Sequence, residues 1–128
     1  MTERRAINAP DAPQPAGGYA QAVEITGATR LLFISGQIPV AGDGSLPAGF
    51  GAQCRMAWAN IEAQLRAAGM DRSHLVKVTT FLSDRAHAVE NRQIRNEVLG
   101  SHTPALTVII TGIFDSAWLV EIEAVAAA

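Results

Sequence analysis

The residues best suited to chemistry lie near the C-terminal end of the chain, between His102 and Thr111 and at Glu121. The stretch Thr103-Pro104-Ala105-Leu106-Thr107 is typical of the entry to a buried strand that borders a ligand site. A carboxylate such as Glu121 can position and activate a water molecule for attack on an electrophilic carbon. Glu121 and Glu123 are two residues apart and therefore share one face of their strand. Each carboxylate could instead be a solvated residue at the sheet edge, with no part in a site.

Two further stretches interrupt regular patterns. Gly36 stands inside the strand-like run Ser35-Gly36-Gln37-Ile38-Pro39-Val40, and such a glycine marks either a β-bulge or a close approach to the backbone. Tyr19 follows two glycines. Its ring or hydroxyl could hold a ligand, or it could anchor a loose N-terminal segment by packing.

Other common kinds of site are not indicated. His74, His87 and His102 show no metal-ligand spacing with acidic residues or cysteine, so we expect no metal site. His102 could instead contact a ligand beside the Thr103-Pro104 entry. Cys54 is the only cysteine and lies on an apolar helical stripe, which favours a buried inert thiol over a nucleophile.

Composition limits the possible partners. The 128 residues fit one domain, residues 1–128, and 48% hydrophobic with 17% charged residues exclude disorder. A net charge of −2 argues against a nucleic-acid partner, since phosphate neutralisation needs clustered Lys and Arg. No apolar run is long enough to span a membrane, and no secretion signal follows the polar start Met1–Arg5, so we expect a cytoplasmic protein.

The periodicity of the chain predicts the elements that must position these residues. Apolar residues recur at helical spacing in the first helix, and Ser83 or Asp84 can cap the second. The Pro-rich segment Met1 to Gly18 should lie extended, outside any ladder, and the first two strands should form an antiparallel hairpin. The predicted helices are Phe50–Ala68 and Ser83 or Asp84 to about Leu99, and the predicted strands are Gln21–Thr26, Leu31–Ser35, Leu75–Leu82, Ala105–Thr111 and Trp118–Ala126.

This order predicts an α+β fold, a mixed sheet with two helices on one side. The strand Ala105–Thr111 is apolar on both faces and must therefore be covered on both. Because two helices cover only one face, another copy of the chain should cover the other, which predicts a homo-oligomer.

Seven stretches carry a resemblance to a known family: Gly18-Tyr19-Ala20-Gln21, Ser35 to Val40, Ala67-Ala68-Gly69-Met70, Val76 to Leu82, Asn91, Thr103-Pro104-Ala105 and Val120 to Ala124. With these residues the chain resembles the RidA family, also called YjgF/YER057c/UK114, along nearly its whole length. The resemblance implies a chorismate-mutase-like fold and a homotrimer whose sheets form a central barrel, with small-molecule clefts between subunits. It also implies hydrolysis of reactive imines and enamines to 2-keto acids and ammonia without a metal or cofactor.

Carried over residue by residue, the resemblance makes Glu121 the catalytic residue and gives a substrate-binding set with one departure. The archetype has an arginine directly after the Pro-Ala pair, which grips the substrate carboxylate, and this chain has Leu106. Without that cation, a buried carboxylate would cost about 2 to 5 kcal/mol, so the site should prefer a less acidic ligand unless Arg85, Arg92 or Arg95 replaces it. The substrate-binding set is Tyr19, Ser35, Gly36, Asn91, Leu106 and Thr107.

Two functions remain open at this point. The first is a divergent imine or enamine deaminase-like hydrolase acting on a substrate other than simple 2-imino acids. The second is a non-catalytic trimer that binds or senses a metabolite. RNA cleavage, a third activity attached to the family, conflicts with an acidic chain that has no basic stripe.

Overall fold

The first helix organises the core. In the computed structural model, which describes all 128 residues, α1 spans Phe50–Ala67. It buries the stripe predicted for it, with Trp58 and Ile61 fully enclosed against the sheet. Gly69 follows with a positive φ of 71°, a conformation that glycine adopts without strain, and the helix ends there as predicted.

A four-stranded mixed sheet packs against this helix in the order β3, β6, β4, β5. β6 runs antiparallel to both of its neighbours, whereas β4 and β5 are parallel. The predicted α+β class is confirmed. The strands are β3 (Leu31–Gln37), β4 (Leu75–Leu82), β5 (Ala105–Ile110) and β6 (Val120–Ala127).

The second helix, α2, spans Ala88–Leu99 and follows a single 3-10 turn at Arg85–His87. Asp84 begins that turn, because its carboxylate accepts a hydrogen bond from the Ala86 backbone N–H at 2.8 Å. The His87 ring stacks on Phe50 with centroids 4.5 Å apart, which joins the starts of the two helices. Both helices contribute to one core against the sheet, as predicted.

The N-terminal predictions were wrong in two respects. β1 (Glu3–Ile7) forms a regular antiparallel pair with β2 (Ala22–Thr26), although the segment before Gly18 was expected to lie outside any ladder. β2 and β3 are strands, but they do not form a hairpin, because the residues between them bond to the C-terminus instead. The N–H groups of Thr29 and Arg30 both donate to the Ala128 carbonyl at 2.9 Å.

One face of the sheet carries no helix. Phe33 on β3 is 73% exposed, and Ile109 on β5 is 41% exposed on the same side. Such apolar exposure across a sheet face is typical of a surface that another chain covers. No helix is both long and apolar enough to cross a membrane.

Candidate functional site

The sequence signal at Gly36 corresponds to a β-bulge. The pairing between β3 and β6 shifts register between Ile34 and Gln37, which leaves an extra residue on β3. The Glu121 carboxylate fills the space above Gly36, since a Cβ built there would lie 2.0 Å from Glu121 Oε2. Both interpretations of this glycine therefore hold, and the group that approaches the backbone is the predicted catalytic carboxylate.

Two amide side chains of α1 hold the surroundings of Glu121, and sequence reasoning missed both. Gln53 is 97% buried; its Nε2 donates to the carbonyls of Pro47 and Ala117, and its Oε1 accepts from the Leu119 N–H at 2.8 Å. Asn60 Nδ2 donates to the carbonyls of Ile38 and Val40, both at 2.9 Å. The available signal was a polar amide beside an otherwise apolar helical stripe, which usually marks a backbone contact.

A cavity of about 270 Å³ adjoins Glu121 on the helix-free face. Its walls are otherwise mostly apolar, and Phe114 in the loop after β5 is 96% exposed. A carboxylate beside apolar walls can direct a water molecule at an uncharged substrate. The other lining residues are Phe81, Thr111, Gly112 and Ile113.

Tyr19 and Leu106 meet in a second cavity, of about 290 Å³, on the helix side of the sheet. Arg92 and Arg95 of α2 line the same cavity. Two of the three arginines proposed from the sequence as replacement cations therefore lie beside Leu106. Arg85 does not line this cavity.

The chain before β2 is fixed over this second cavity by short contacts. The Ala20 N–H donates to the Pro104 carbonyl at 3.0 Å, which places Tyr19 beside the start of β5. The Tyr19 hydroxyl accepts a hydrogen bond from the Ala16 N–H at 3.3 Å. Gly18 has a φ of 77°, and a side chain there would meet Asn96 and Arg95. Only glycine fits this crossing of α2 without strain.

Ser35 and Thr107 lie elsewhere, on the helix-free face. Ser35 lines a shallow cavity with Lys77 and Glu123, and Thr107 Oγ1 accepts a hydrogen bond from Lys77 Nζ at 2.5 Å. Glu123 therefore belongs to this polar centre and not to the cavity beside Glu121. A lysine and a carboxylate on neighbouring strands give the middle of the open face a balanced charge.

Asn91 and Cys54 lie in the interior of the chain, and His102 is half-buried. Asn91 is only 2% exposed, and its Oδ1 accepts from Cys54 Sγ at 3.9 Å between the helices. The structure does not bring Asn91 to either cavity. Burial raises the pKa of the Cys54 thiol to about 12, so it remains protonated and unreactive at neutral pH. His102 Nε2 contacts the Leu75 carbonyl at 2.7 Å, and burial lowers the pKa of its imidazole.

Within one chain, Glu121 and Leu106 lie too far apart to contact the same small ligand. Leu106 pairs with Val78 on β4, and Glu121 pairs with Phe81, three residues further along the same strand. That offset is roughly 10 Å along the strand, and the two intervening strand spacings add about 10 Å across the sheet. An odd offset also places the two side chains on opposite faces of the sheet.

The mixed sheet under two helices, with Glu121 and Leu106 at separate cavities, defines a small α+β protein that resembles solved structures in overall form. A crystal structure of a Rid-family protein of unknown function, YyfB from Yersinia pestis, superimposes with a TM-score of 0.84 at 29% identity and covers 98% of both chains. The family model described as Endoribonuclease L-PSP matches residues 9–128. The chain belongs to this family, the RidA or YjgF family recognised from its sequence.

Relatives with curated names support the same assignment. A RutC family protein from Aquifex aeolicus is 44% identical over 81 residues, and this match spans 62% of both chains. A protein of Capra hircus named 2-iminobutanoate/2-iminopropanoate deaminase is 32% identical over 126 residues, covering 96% of this chain and 89% of that protein. These names apply to the relatives.

Proposed function

We propose that the chain is an imine or enamine deaminase-like hydrolase that acts on a substrate other than simple 2-imino acids. The observation that best supports this proposal is the position of the Glu121 carboxylate, which lies against the Gly36 bulge and borders a largely apolar cavity. The deaminase named among the relatives supports the reaction class. No cofactor is needed for this chemistry, because an imine carbon is itself electrophilic.

The cleft forms between copies of the chain in a homotrimer. Glu121 and Leu106 lie on opposite faces of one sheet, so a small ligand that touches both must receive them from different copies. Exposed Phe33 and Phe114 would be covered by the same contact. Glu121 of one copy then faces the Tyr19 and Leu106 cavity of the next, within a single domain of residues 1–128.

The hydrolytic step follows from the position of Glu121. Its carboxylate accepts a proton as water oxygen bonds to the imine carbon, and the nitrogen takes up a proton to give a tetrahedral carbinolamine. Collapse of that intermediate breaks the C–N bond, forms the C=O bond and releases ammonia. An enamine enters the same sequence after protonation at carbon converts it to the imine.

Leu106 separates this chain from deaminases of simple 2-imino acids. A leucine offers no hydrogen bond to a carboxylate next to the imine carbon, whereas it favours contact with an apolar part of the substrate. The half-buried Leu106 packs against the core and lines the second cavity, so it is part of a fixed apolar wall. Substrates with an apolar body beside the imine fit this wall best.

The alternative is a trimer that binds a metabolite without turnover. It is favoured by the same residue, since the change at Leu106 removes a substrate contact while the cavities persist. Cleavage of RNA, the activity in the family description, is disfavoured by the 12 acidic against 10 basic residues.

The test is a competition assay in which an amino-acid oxidase generates 2-imino acids and semicarbazide traps them. The natural protein should accelerate hydrolysis of imines from phenylalanine or leucine more than of the imine from alanine. Glu121→Gln should abolish the acceleration, and Leu106→Arg should shift the preference towards alanine. Binding of these compounds without any turnover would support the metabolite-binding alternative, and hydrolysis by Glu121→Gln at the rate of the natural protein would contradict the role of Glu121.

A further inference from the structure

Arg95 is the least expected side chain in the molecule. Its residue is only 4% exposed, yet a guanidinium group carries five N–H donors and remains charged. Its Nε is buried without any partner, and its single side-chain contact is a long hydrogen bond of 3.4 Å from Nη2 to Asn96 Oδ1. No carboxylate forms an ion pair with it.

Buried charges are normally paired, because removing an ion from water costs several kcal/mol in real proteins. Burial lowers the pKa of the Arg95 guanidinium, the neighbouring Arg92 lowers it further, and Tyr19 acts in the opposite direction. The fold nevertheless fixes Arg95 in place, since Gly18 crosses directly over its Nη2. Retaining such a group without a partner is typical of a binding site.

The surroundings indicate what would pair with it. Arg95 opens into the cavity of about 290 Å³ that Leu106, Val108 and Tyr19 line, and the exposed Arg92 stands at the same cavity. A planar guanidinium meets a carboxylate with two parallel hydrogen bonds. The apolar wall of Leu106 and Val108 suits a hydrocarbon body attached to that carboxylate.

We propose that this cavity is a carboxylate-binding site in which Arg95 supplies the principal cation and Arg92 a secondary one. The positive charge comes from α2, whereas β5 supplies the apolar wall. This inference deepens the proposed function, since it names the charge of the ligand and places that charge beyond Leu106. A ligand bound in this way places its carboxylate against α2 and its apolar segment along β5.

The test uses two probes of equal shape, 3-phenylpropanoate and its neutral amide, titrated into the natural protein by calorimetry. The acid should bind at least about tenfold more tightly than the amide. Arg95→Gln should remove that preference, Arg95→Lys should retain part of it, and Arg92→Gln should lower it less. Arg66→Gln, which changes an exposed arginine on α1, is the matched control and should leave both affinities unchanged.

A second measurement does not depend on ligand. Because the guanidinium is uncompensated, Arg95→Met should raise the thermal unfolding midpoint of the ligand-free protein. A lower midpoint would mean that Arg95 is satisfied within the protein and would overturn the proposal. Equal binding of acid and amide, or no binding of the acid, would do the same. Since binding is read without turnover, failure here is distinct from failure of the proposed hydrolysis.

Discussion

Substituting Gly36 tests how the bulge positions Glu121. A Cβ at residue 36 would lie 2.0 Å from Glu121 Oε2 and 2.8 Å from its Cδ, so the carboxylate must retreat by more than 1 Å to reach ordinary contact. Gly36 does not have a positive φ, so Gly36→Ala adds no backbone strain and acts only through this contact. A forced contact of this kind costs about 1 kcal/mol, the low end for added volume, because the obstructing atoms are the end of a flexible side chain.

Displacement of a catalytic group by 1 Å lowers rates by about 100-fold. We therefore expect Gly36→Ala to lose about two orders of magnitude of hydrolysis in the semicarbazide assay while remaining folded. Gly42→Ala is the matched control, because Gly42 has no atom within 4 Å of its Cβ position, has no positive φ and lies outside the cavity beside Glu121. That variant should keep both activity and stability.

A double-mutant cycle isolates the contact itself. In a Glu121→Ala background the obstructing carboxylate is absent, so Gly36→Ala should leave the free energy of unfolding almost unchanged. Chemical denaturation of the four proteins measures this coupling. If Gly36→Ala lowers the free energy of unfolding equally in both backgrounds, residue 36 and Glu121 act independently and the contact does not position the carboxylate.

Three further predictions concern the interior and the open face. The Cys54 thiol, whose pKa is raised to about 12 by burial, should resist an aromatic disulfide reagent at pH 8 in the native protein and react once the chain is unfolded in denaturant; rapid native labelling would contradict its burial. The pKa of His102 is lowered in the folded state, so the unfolded chain binds more protons and stability should fall as the pH drops below about 6.5. A His102→Gln variant should lose this part of the pH dependence of its free energy of unfolding. An unchanged pH dependence in the variant would be evidence against a role of His102. Phe33→Asp on the helix-free face should dissociate the proposed trimer, as measured by light scattering. Val89→Asp, at a 68% exposed position on α2, should not dissociate it. Dissociation by both variants would place the contact between copies elsewhere.

The sequence predicted both helices and the strands of the main sheet, because their apolar residues recur at regular spacing. β4 alternates clearly and was predicted with the observed bounds, Leu75–Leu82. β6 begins at Val120 and not at Trp118, because Asp115 bonds the N–H groups of Ala117 and Trp118 into a turn. β1 escaped prediction because Glu3, Arg4 and Arg5 give it no apolar alternation.

Sequence reasoning singled out Gly36 and Glu121 separately but did not predict how they are arranged. Gly36 and Glu121 are adjacent through a bulge that shifts register, which no local pattern specifies. The sequence marked Arg92 and Arg95 as possible replacement cations, but it did not show that Arg95 is buried where Gly18 crosses α2. Long-range contacts of this kind depend on how elements pack, and one sequence does not encode them in residue spacing.

Each proposed site is shared between two copies of the chain, so two variants that each lack a different half of the site should be inactive alone and should restore part of the activity when mixed. Glu121→Gln lacks one half of the proposed site and Arg95→Gln lacks the other. After unfolding and refolding an equimolar mixture, about a quarter of the clefts in random trimers should combine an intact Glu121 with an intact Arg95. We expect recovery of about that fraction of the natural hydrolysis rate in the semicarbazide assay. No recovery, with mixed trimers demonstrated by native mass spectrometry, would contradict the shared site.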